Sequence, residues 1–442
     1  MNISKSGDNS SPYSSTLGRS FKASLDLHAP TADRDPTGEW SRCLLEDALA
    51  ARATDIHFDP KESGLLIRFR IDGSVRNILT LTKEHGLRLL RYFKVNSGLD
   101  PFDALAPEDA RLHLEINGEP LDIRLSCVPC VHGDKLALRL LHRSPLSLSL
   151  QDLGMHEHDR QNIHRWLNDI SGIFLVAGPV GSGKTTTLYS LLSELNLGER
   201  NIMTVEDPVE YELQGINQIQ IDKKRGVCFE DAMTALLRMD PDYILLGEIR
   251  DQPSARTAMI AASTGRVVLT TMHSRNAAGV ITALRGLRIH NHEIAASLGF
   301  IVAQRLVRKL CKECRVRETP TDAEKHWLQS INEPVPEETW HPKGCDRCEG
   351  TGYHGRIGIF ETLPIDGKTY HMILGGEDEL TLRKHLRKSG FRPLLRDGLE
   401  KSAVGITCLD ELTRIGAQTY LENTLEGNET EAPHSDGGEG GI

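Results

Sequence analysis

The run Gly178-Pro179-Val180-Gly181-Ser182-Gly183-Lys184-Thr185 has the residue types and the spacing of a loop that cradles phosphate. Glycines let backbone N–H groups converge on phosphate oxygens with no side chain in the way, and the helix that follows adds the partial positive charge of its N-terminus. In such a loop Lys184 reaches the β- and γ-phosphates and the Thr185 hydroxyl holds Mg2+, with Thr186 completing the nucleotide-binding run. An apolar segment, Ile173-Phe-Leu-Val-Ala177, precedes the loop and a helical pattern from Thr185 to Leu195 follows it. A chance glycine turn lacks that context. The loop by itself does not choose between ATP and GTP.

A phosphate loop needs acidic partners at the ends of neighbouring buried strands. Tyr243-Ile-Leu-Leu-Gly-Glu248 supplies Glu248, placed to polarise an attacking water, to act on Mg2+ through water, or to do both. Glu206 opens a second cluster, Glu206-Asp-Pro-Val-Glu210, which alone is a weak signal because Asp-Pro often only starts a turn. His273 ends Val267-Val-Leu-Thr-Thr-Met, in position to sense a γ-phosphate, although a lone histidine is more often structural.

Cys311-Lys-Glu-Cys314 and Cys345-Asp-Arg-Cys348 form two C-x-x-C pairs, the pattern of a tetrahedral all-thiolate Zn2+ site with no position left open for water. Gly344, Gly350 and Gly352 provide the tight turns that such knuckles need. Cys127-Val-Pro-Cys130 is a third pair without a match, and it is read with Cys43, Cys228 and Cys408 as packing or incidental.

These residues must be positioned by more than one domain, since 442 residues suggest two to three units. The formal net charge of -10 argues against a protein that coats nucleic acid. The polar N-terminus lacks a secretory signal and no apolar run is long enough for a bilayer, so the expected location is the cytoplasm. Composition predicts a disordered arm over 1–38, a strand-rich α+β domain over 39–145 and an α/β domain with a parallel sheet over 146–310. It further predicts a polar, irregular tetracysteine subdomain over 311–355, a helical region over 356–423 and a disordered acidic tail over 424–442.

Taken together, the motifs resemble those of the type II secretion and type IV pilus assembly ATPases, a family of hexameric motors, from about Asp47 to Arg414. Ala53-Thr-Asp-Ile-His-Phe-Asp-Pro60 and Ile67-Arg-Phe-Arg-Ile-Asp-Gly73 are similar to its amino-terminal signatures, and Thr204-Val-Glu-Asp-Pro-Val-Glu-Tyr211 to its aspartate box. Leu237-Arg-Met-Asp-Pro-Asp242 through Gly247-Glu-Ile-Arg-Asp251 resembles its Walker B region, and Thr264-Gly-Arg-Val-Val-Leu-Thr-Thr-Met-His273 its histidine box. The resemblance implies a RecA-like P-loop domain behind a PAS-like amino-terminal domain. It also implies that ATP is the nucleotide, that Glu248 and Glu206 act at the site, and that His273 couples phosphate state to conformation. Arginines of the amino-terminal domain are implied to reach the phosphates on closure; by position these are Arg124 and Arg139, with Arg238 as a third candidate.

The implied partners are five further copies of the chain, an inner-membrane platform protein and a cytoplasmic adaptor, with the protein peripheral to the membrane through them. The cysteine element resembles that of assembly motors, which disfavours a retraction motor. A nucleotide-dependent scaffold that does not hydrolyse is disfavoured by Lys184, Glu206 and Glu248. Two stretches depart from the family pattern: Pro107-Glu-Asp-Ala-Arg111 and Ser274-Arg-Asn276. The short leading region implies that the adaptor-docking domain of some relatives is absent.

Overall fold

The computed structural model describes residues 17–27, 35–102, 106–141, 148–169, 171–196, 198–222 and 225–415. The amino-terminal domain runs α1 (Arg19–Leu27), α2 (Thr37–Ala50), β1 (Ala53–Lys61), β2 (Gly64–Ile71), β3 (Ser74–Leu81), α3 (Lys83–Asn96), β4 (Glu108–Ile116), β5 (Glu119–Cys130) and β6 (Gly133–Leu141). Its six strands form one antiparallel sheet in the order β3-β2-β1-β6-β5-β4. Alternation decides which face is covered. Leu65, Ile67, Phe69 and Ile71 of β2 are buried with Trp40 of α2 and Phe93 of α3, while Arg68 and Arg70 take the other face.

The arm expected over 1–38 contains α1, and this corrects the reading. Phe21 is fully buried in the amino-terminal core, and Asp47 of α2 accepts its backbone N–H at 2.8 Å. Burying one aromatic ring and satisfying a free helix-end donor offsets the entropy of ordering that turn. Residues 1–16 and 28–34 lie outside the described set.

The second domain runs α4 (Glu157–Asp169), β7 (Gly172–Ala177), α5 (Lys184–Leu195), β8 (Ile202–Glu206), β9 (Asn217–Gln220), α6 (Phe229–Leu236), β10 (Tyr243–Leu246), α7 (Gln252–Ser263), β11 (Val267–Met272), α8 (Ala277–Gly286), α9 (Asn291–Ser297) and β12 (Leu298–Leu310). Every residue of β7, β8, β10 and β11 is buried, as parallel strands covered on both faces require. Apolar clusters lie on each side of the sheet.

The remaining elements are β13 (Val316–Glu318), α10 (Asp322–Ser330), β14 (Thr339–His341), β15 (Tyr353–Pro364), α11 (Gly367–Gly375), α12 (Glu379–Lys388) and α13 (Leu394–Ala403). They correct two boundaries. The tetracysteine region is not irregular: β13 pairs with β14 and α10 carries a capping box from Thr321 to Glu324. The region expected to be helical from 356 includes most of a strand, β15, which pairs antiparallel with β12 along its length. The sheet of the second domain therefore has the order β15-β12-β7-β11-β10-β8-β9 and closes with residues beyond the cysteines. Ile359, Leu363, Ile373, Leu382 and Leu412 share one core with Ile173 and Val268, so the C-terminal helices belong to the same domain. Glu361 is buried there, and its two oxygens accept the backbone N–H of Ala277 at 2.6 Å and of Leu394 at 2.9 Å, the first residues of α8 and α13. Residues 416–442, with the expected acidic tail, lie outside the described set.

Among the described residues no helix is long and apolar enough to cross a membrane.

Candidate functional site

The phosphate loop leaves β7, a central strand, and enters α5 through Gly183, which adopts left-handed backbone at φ 87°. A Cβ on Gly178 would lie 2.6 Å from the Gln304 carbonyl oxygen, so only glycine lets the loop cross β12 this closely. Gln304 itself is buried: its Nε2 donates to the Ser182 carbonyl at 2.7 Å and its Oε1 accepts from the Thr187 hydroxyl at 2.8 Å. This clamp fixes the loop and the first turn of α5 to the neighbouring strand.

Lys184 is folded back on the loop, donating to the carbonyls of Gly178 at 2.9 Å and Pro179 at 3.2 Å. Burial holds its ammonium below the usual lysine value, opposed by the nearby Glu248 carboxylate. The Thr185 and Thr186 hydroxyls make no protein hydrogen bond among the described residues, while Ser182 Oγ is buried without a partner.

Glu248 follows β10 at the loop that ends in Asp251, whose carboxylate caps α7 by accepting Ser254 N–H at 2.9 Å. His273 follows β11. Its Nδ1 lies 3.1 Å from the Gly178 carbonyl and its Nε2 lies 2.6 Å from Glu248 Oε1, so the ring bridges the phosphate loop and the end of β10. That second approach is close in distance, yet Glu248 Oε1 has no hydrogen-bond partner among the described residues. The other oxygen accepts from Arg250 Nε at 2.6 Å, and this raises the Arg250 pKa. Arg250 escaped the sequence reading, although it stands two residues after Glu248 in a quoted motif.

Glu206 ends β8, nearly buried, with both oxygens engaged by the protein. It accepts from the Tyr189 hydroxyl, from Thr204 Oγ1 at 2.7 Å and from Gln218 Nε2 at 3.2 Å. Burial pushes its carboxyl above the usual range, and these hydrogen bonds act the other way.

A cavity of about 480 Å³ gathers these groups, and its far wall belongs to the amino-terminal domain: Lys184, Thr185, Glu206, Glu248 and His273 face Arg124 and Arg139. Strand register explains the placement. Arg111, Arg124 and Arg139 are direct cross-strand neighbours on β4, β5 and β6, and Asp55 stands opposite Arg139 on β1. Opposed residues share a face. Arg139 pairs with Asp55 at 3.2 Å and Arg111 donates to Gln220 of the second domain at 2.9 Å. The Arg124 side chain, between them, makes no hydrogen bond or ion pair with any described residue. A row of like charges is destabilising unless an anion meets it. Arg111 is a member that the sequence reading did not assign, because register is invisible in sequence. Arg238 is not part of the row: it is exposed in a short 3₁₀ turn (Leu237–Met239) and does not line the cavity.

The second cluster is the four cysteines. Sγ atoms of Cys311 and Cys345, of Cys314 and Cys348, and of Cys345 and Cys348 are each 3.7 Å apart, and all four lie within 4.8 Å of one another. Four sulfurs about 2.3 Å from a central ion form a tetrahedron with edges of about 3.8 Å, whereas a disulfide needs about 2.05 Å. The set fits a tetrahedral metal ion. Backbone N–H groups of Gly344, Cys345 and Gly352 point at the sulfurs at 3.3, 3.2 and 3.1 Å, as knuckle turns around thiolates do.

A family profile described as Type II/IV secretion system protein matches residues 31–414. The chain belongs to this family. Type II secretion system protein E of Dickeya dadantii (strain 3937) is 41% identical over 400 residues, covering 90% of this chain and 79% of that one. Type II secretion system ATPase E of Vibrio cholerae is 39% identical over 384 residues, covering 87% and 76%. The fold is similar to that of the Legionella pneumophila ATPase DotB, with a TM-score of 0.64 at 20% identity over 88% of this chain and 98% of that one. The family implies a nucleotide with Mg2+.

Proposed function

We propose that this secretion ATPase hydrolyses ATP in the cleft between its domains and that closure of the cleft on the phosphates is the mechanical step. The observation that carries the reading is Arg124, without a side-chain partner among the described residues, facing Lys184 and Glu248 across one cavity. On nucleotide binding Lys184 exchanges the two loop carbonyls for β- and γ-phosphate oxygens. The unengaged Thr185 hydroxyl is the residue suited to hold Mg2+, which when bound screens the phosphate charge. Glu248 Oε1 accepts the proton of the attacking water as its oxygen bonds to the γ-phosphorus and the bond to the β–γ bridging oxygen breaks, leaving ADP and phosphate. His273, tied to both the loop and Glu248, follows whether the γ-phosphate is present. Arg124, with Arg139 and Arg111 beside it, stabilises transition-state charge only when the amino-terminal domain closes. Glu206, engaged by Tyr189, Thr204 and Gln218, acts at the site by positioning the end of β8.

The same reading makes the protein one protomer of a homo-hexamer that drives assembly of a type II secretion pseudopilus or a type IV pilus. It works at the cytoplasmic face of the inner membrane through a platform protein and an adaptor, and its cysteines hold structural zinc. Relatives named as type II secretion proteins support the secretion system, and the two cysteine pairs favour assembly over retraction. The test is ATP turnover of wild type against Glu248→Gln. Removing the base should cost about 10²- to 10⁴-fold in turnover. Equal, near-zero rates in both proteins would sink the motor reading in favour of a non-hydrolysing scaffold.

A further inference from the structure

The four-cysteine centre reaches the amino-terminal domain by a short covalent path. Gly352 is held by the centre on both sides: its N–H donates to Cys348 Sγ at 3.1 Å and its carbonyl accepts from Cys311 N–H at 2.8 Å. Two and three residues further on, His354 and Gly355 meet the other domain. Asp72 Oδ2, in the β2–β3 turn, accepts Gly355 N–H at 3.0 Å and lies 3.3 Å from Arg52 Nη2. Arg52 Nη1 in turn lies 2.9 Å from His354 Nε2. Burial and the adjacent Arg52 hold His354 below the usual histidine value, so the neutral ring accepts that bond. Arg52 holds left-handed backbone at φ 58°, and Asp72, at φ 49°, shares with Gly73 the positive φ usual for an Asp-Gly hairpin turn.

We propose that metal binding at the four cysteines fixes the amino-terminal domain against the ATPase domain, through Cys348, Gly352, the His354–Gly355 segment and then Asp72 with Arg52. The ion holds Cys348 as a charged thiolate at a set position, which fixes Gly352 and therefore the next three residues. Without it the N–H groups of Gly344, Cys345 and Gly352 lose their fixed acceptors, and the segment that meets Asp72 is released. The docked domain is the one that carries Arg124, so the centre sets where the arginine row stands above the cleft. The inference rests on the reading of the cysteines as a metal site.

Coupling of this kind is reciprocal in affinity: if the metal steadies the docking, the docking steadies the metal, and a weakened hold appears as faster release. The test compares zinc release from the full-length, zinc-loaded wild type and Asp72→Gly into excess chromophoric chelator. Glycine keeps the left-handed backbone at 72 and removes only the carboxylate, which touches no cysteine. Both proteins should carry about one zinc per chain, and the variant should release it about fivefold faster or more. Hydrogen exchange should report the other direction, with metal-stripped wild type exchanging faster over 69–76 and unchanged over 172–177 and 267–272. Equal release rates, or unchanged exchange over 69–76 after stripping, overturn the inference. A chain that purifies folded and metal-free removes the metal reading itself, and this inference with it.

Discussion

The four cysteine sulfurs already stand at tetrahedral spacing with backbone donors aimed at them, whereas in the nucleotide cleft the reactive groups are occupied with one another. Lys184 sits on two loop carbonyls, Glu248 on Arg250 and His273, and Arg139 on Asp55. The difference follows from what each site must do. A structural metal site gains from being complete, because its binding energy is folding energy. A motor site must exchange partners in each cycle, so its side chains need alternative partners of comparable strength. One site is finished by folding and the other is finished by its substrate.

That contrast can be broken by substitutions that act on one region and leave the other intact. The largest effect is expected from Arg124→Gln, which should lower ATP turnover by about 10³-fold, the scale of an arginine that stabilises transferred phosphate. Zinc content and thermal midpoint should stay as in wild type, read by metal analysis and calorimetry; a lowered midpoint would make Arg124 a structural residue. Cys348→Ser should act on the metal first, and on turnover only as far as the arginine row loses its docking. Loss of the metal should lower the unfolding midpoint by about 2–4 °C for each kcal/mol lost, and retention of both midpoint and metal would show the cysteines to be incidental. The smallest effect belongs to Gln304→Leu, which spans both descriptions. It strands the Ser182 carbonyl and the Thr187 hydroxyl, at a cost of about 1–3 kcal/mol in stability. Nucleotide affinity should fall with it, measured by titration with a fluorescent ATP analogue, because the phosphate loop loses its tie to β12.

Much of the cleft could be read from sequence because its signals are local. Gly178 to Thr185 sits between a strand and a helix, and Glu248 and His273 each close an apolar run that could only be a buried strand. The cysteine pairs are equally local. What escaped depends on the pairing of distant strands. Arg124 and Arg139 are reached only through the family resemblance, and Arg111 joins them only through the β4-β5-β6 register. Gln304 is an ordinary glutamine until β12 lies beside the loop. The strand β15 was taken for the start of a helical region because its partner lies on the far side of the cysteine insertion. Helix α1 was lost in a polar stretch where a single phenylalanine and a capping aspartate decide the outcome.

The pairing of β12 with β15 also bears on how the chain comes together. Leu310 is paired with Tyr353, and the intervening segment begins with Cys311 and holds Cys348 near its end. The edge of the central sheet therefore stays open until synthesis has passed the second cysteine pair. An ion gripped by both pairs closes the same loop that the strand ladder must close, and loop closure is an entropic cost incurred once. Whichever event comes first makes the other nearly local, so metal supply during translation would govern how long an unpaired β12 edge remains available to other chains.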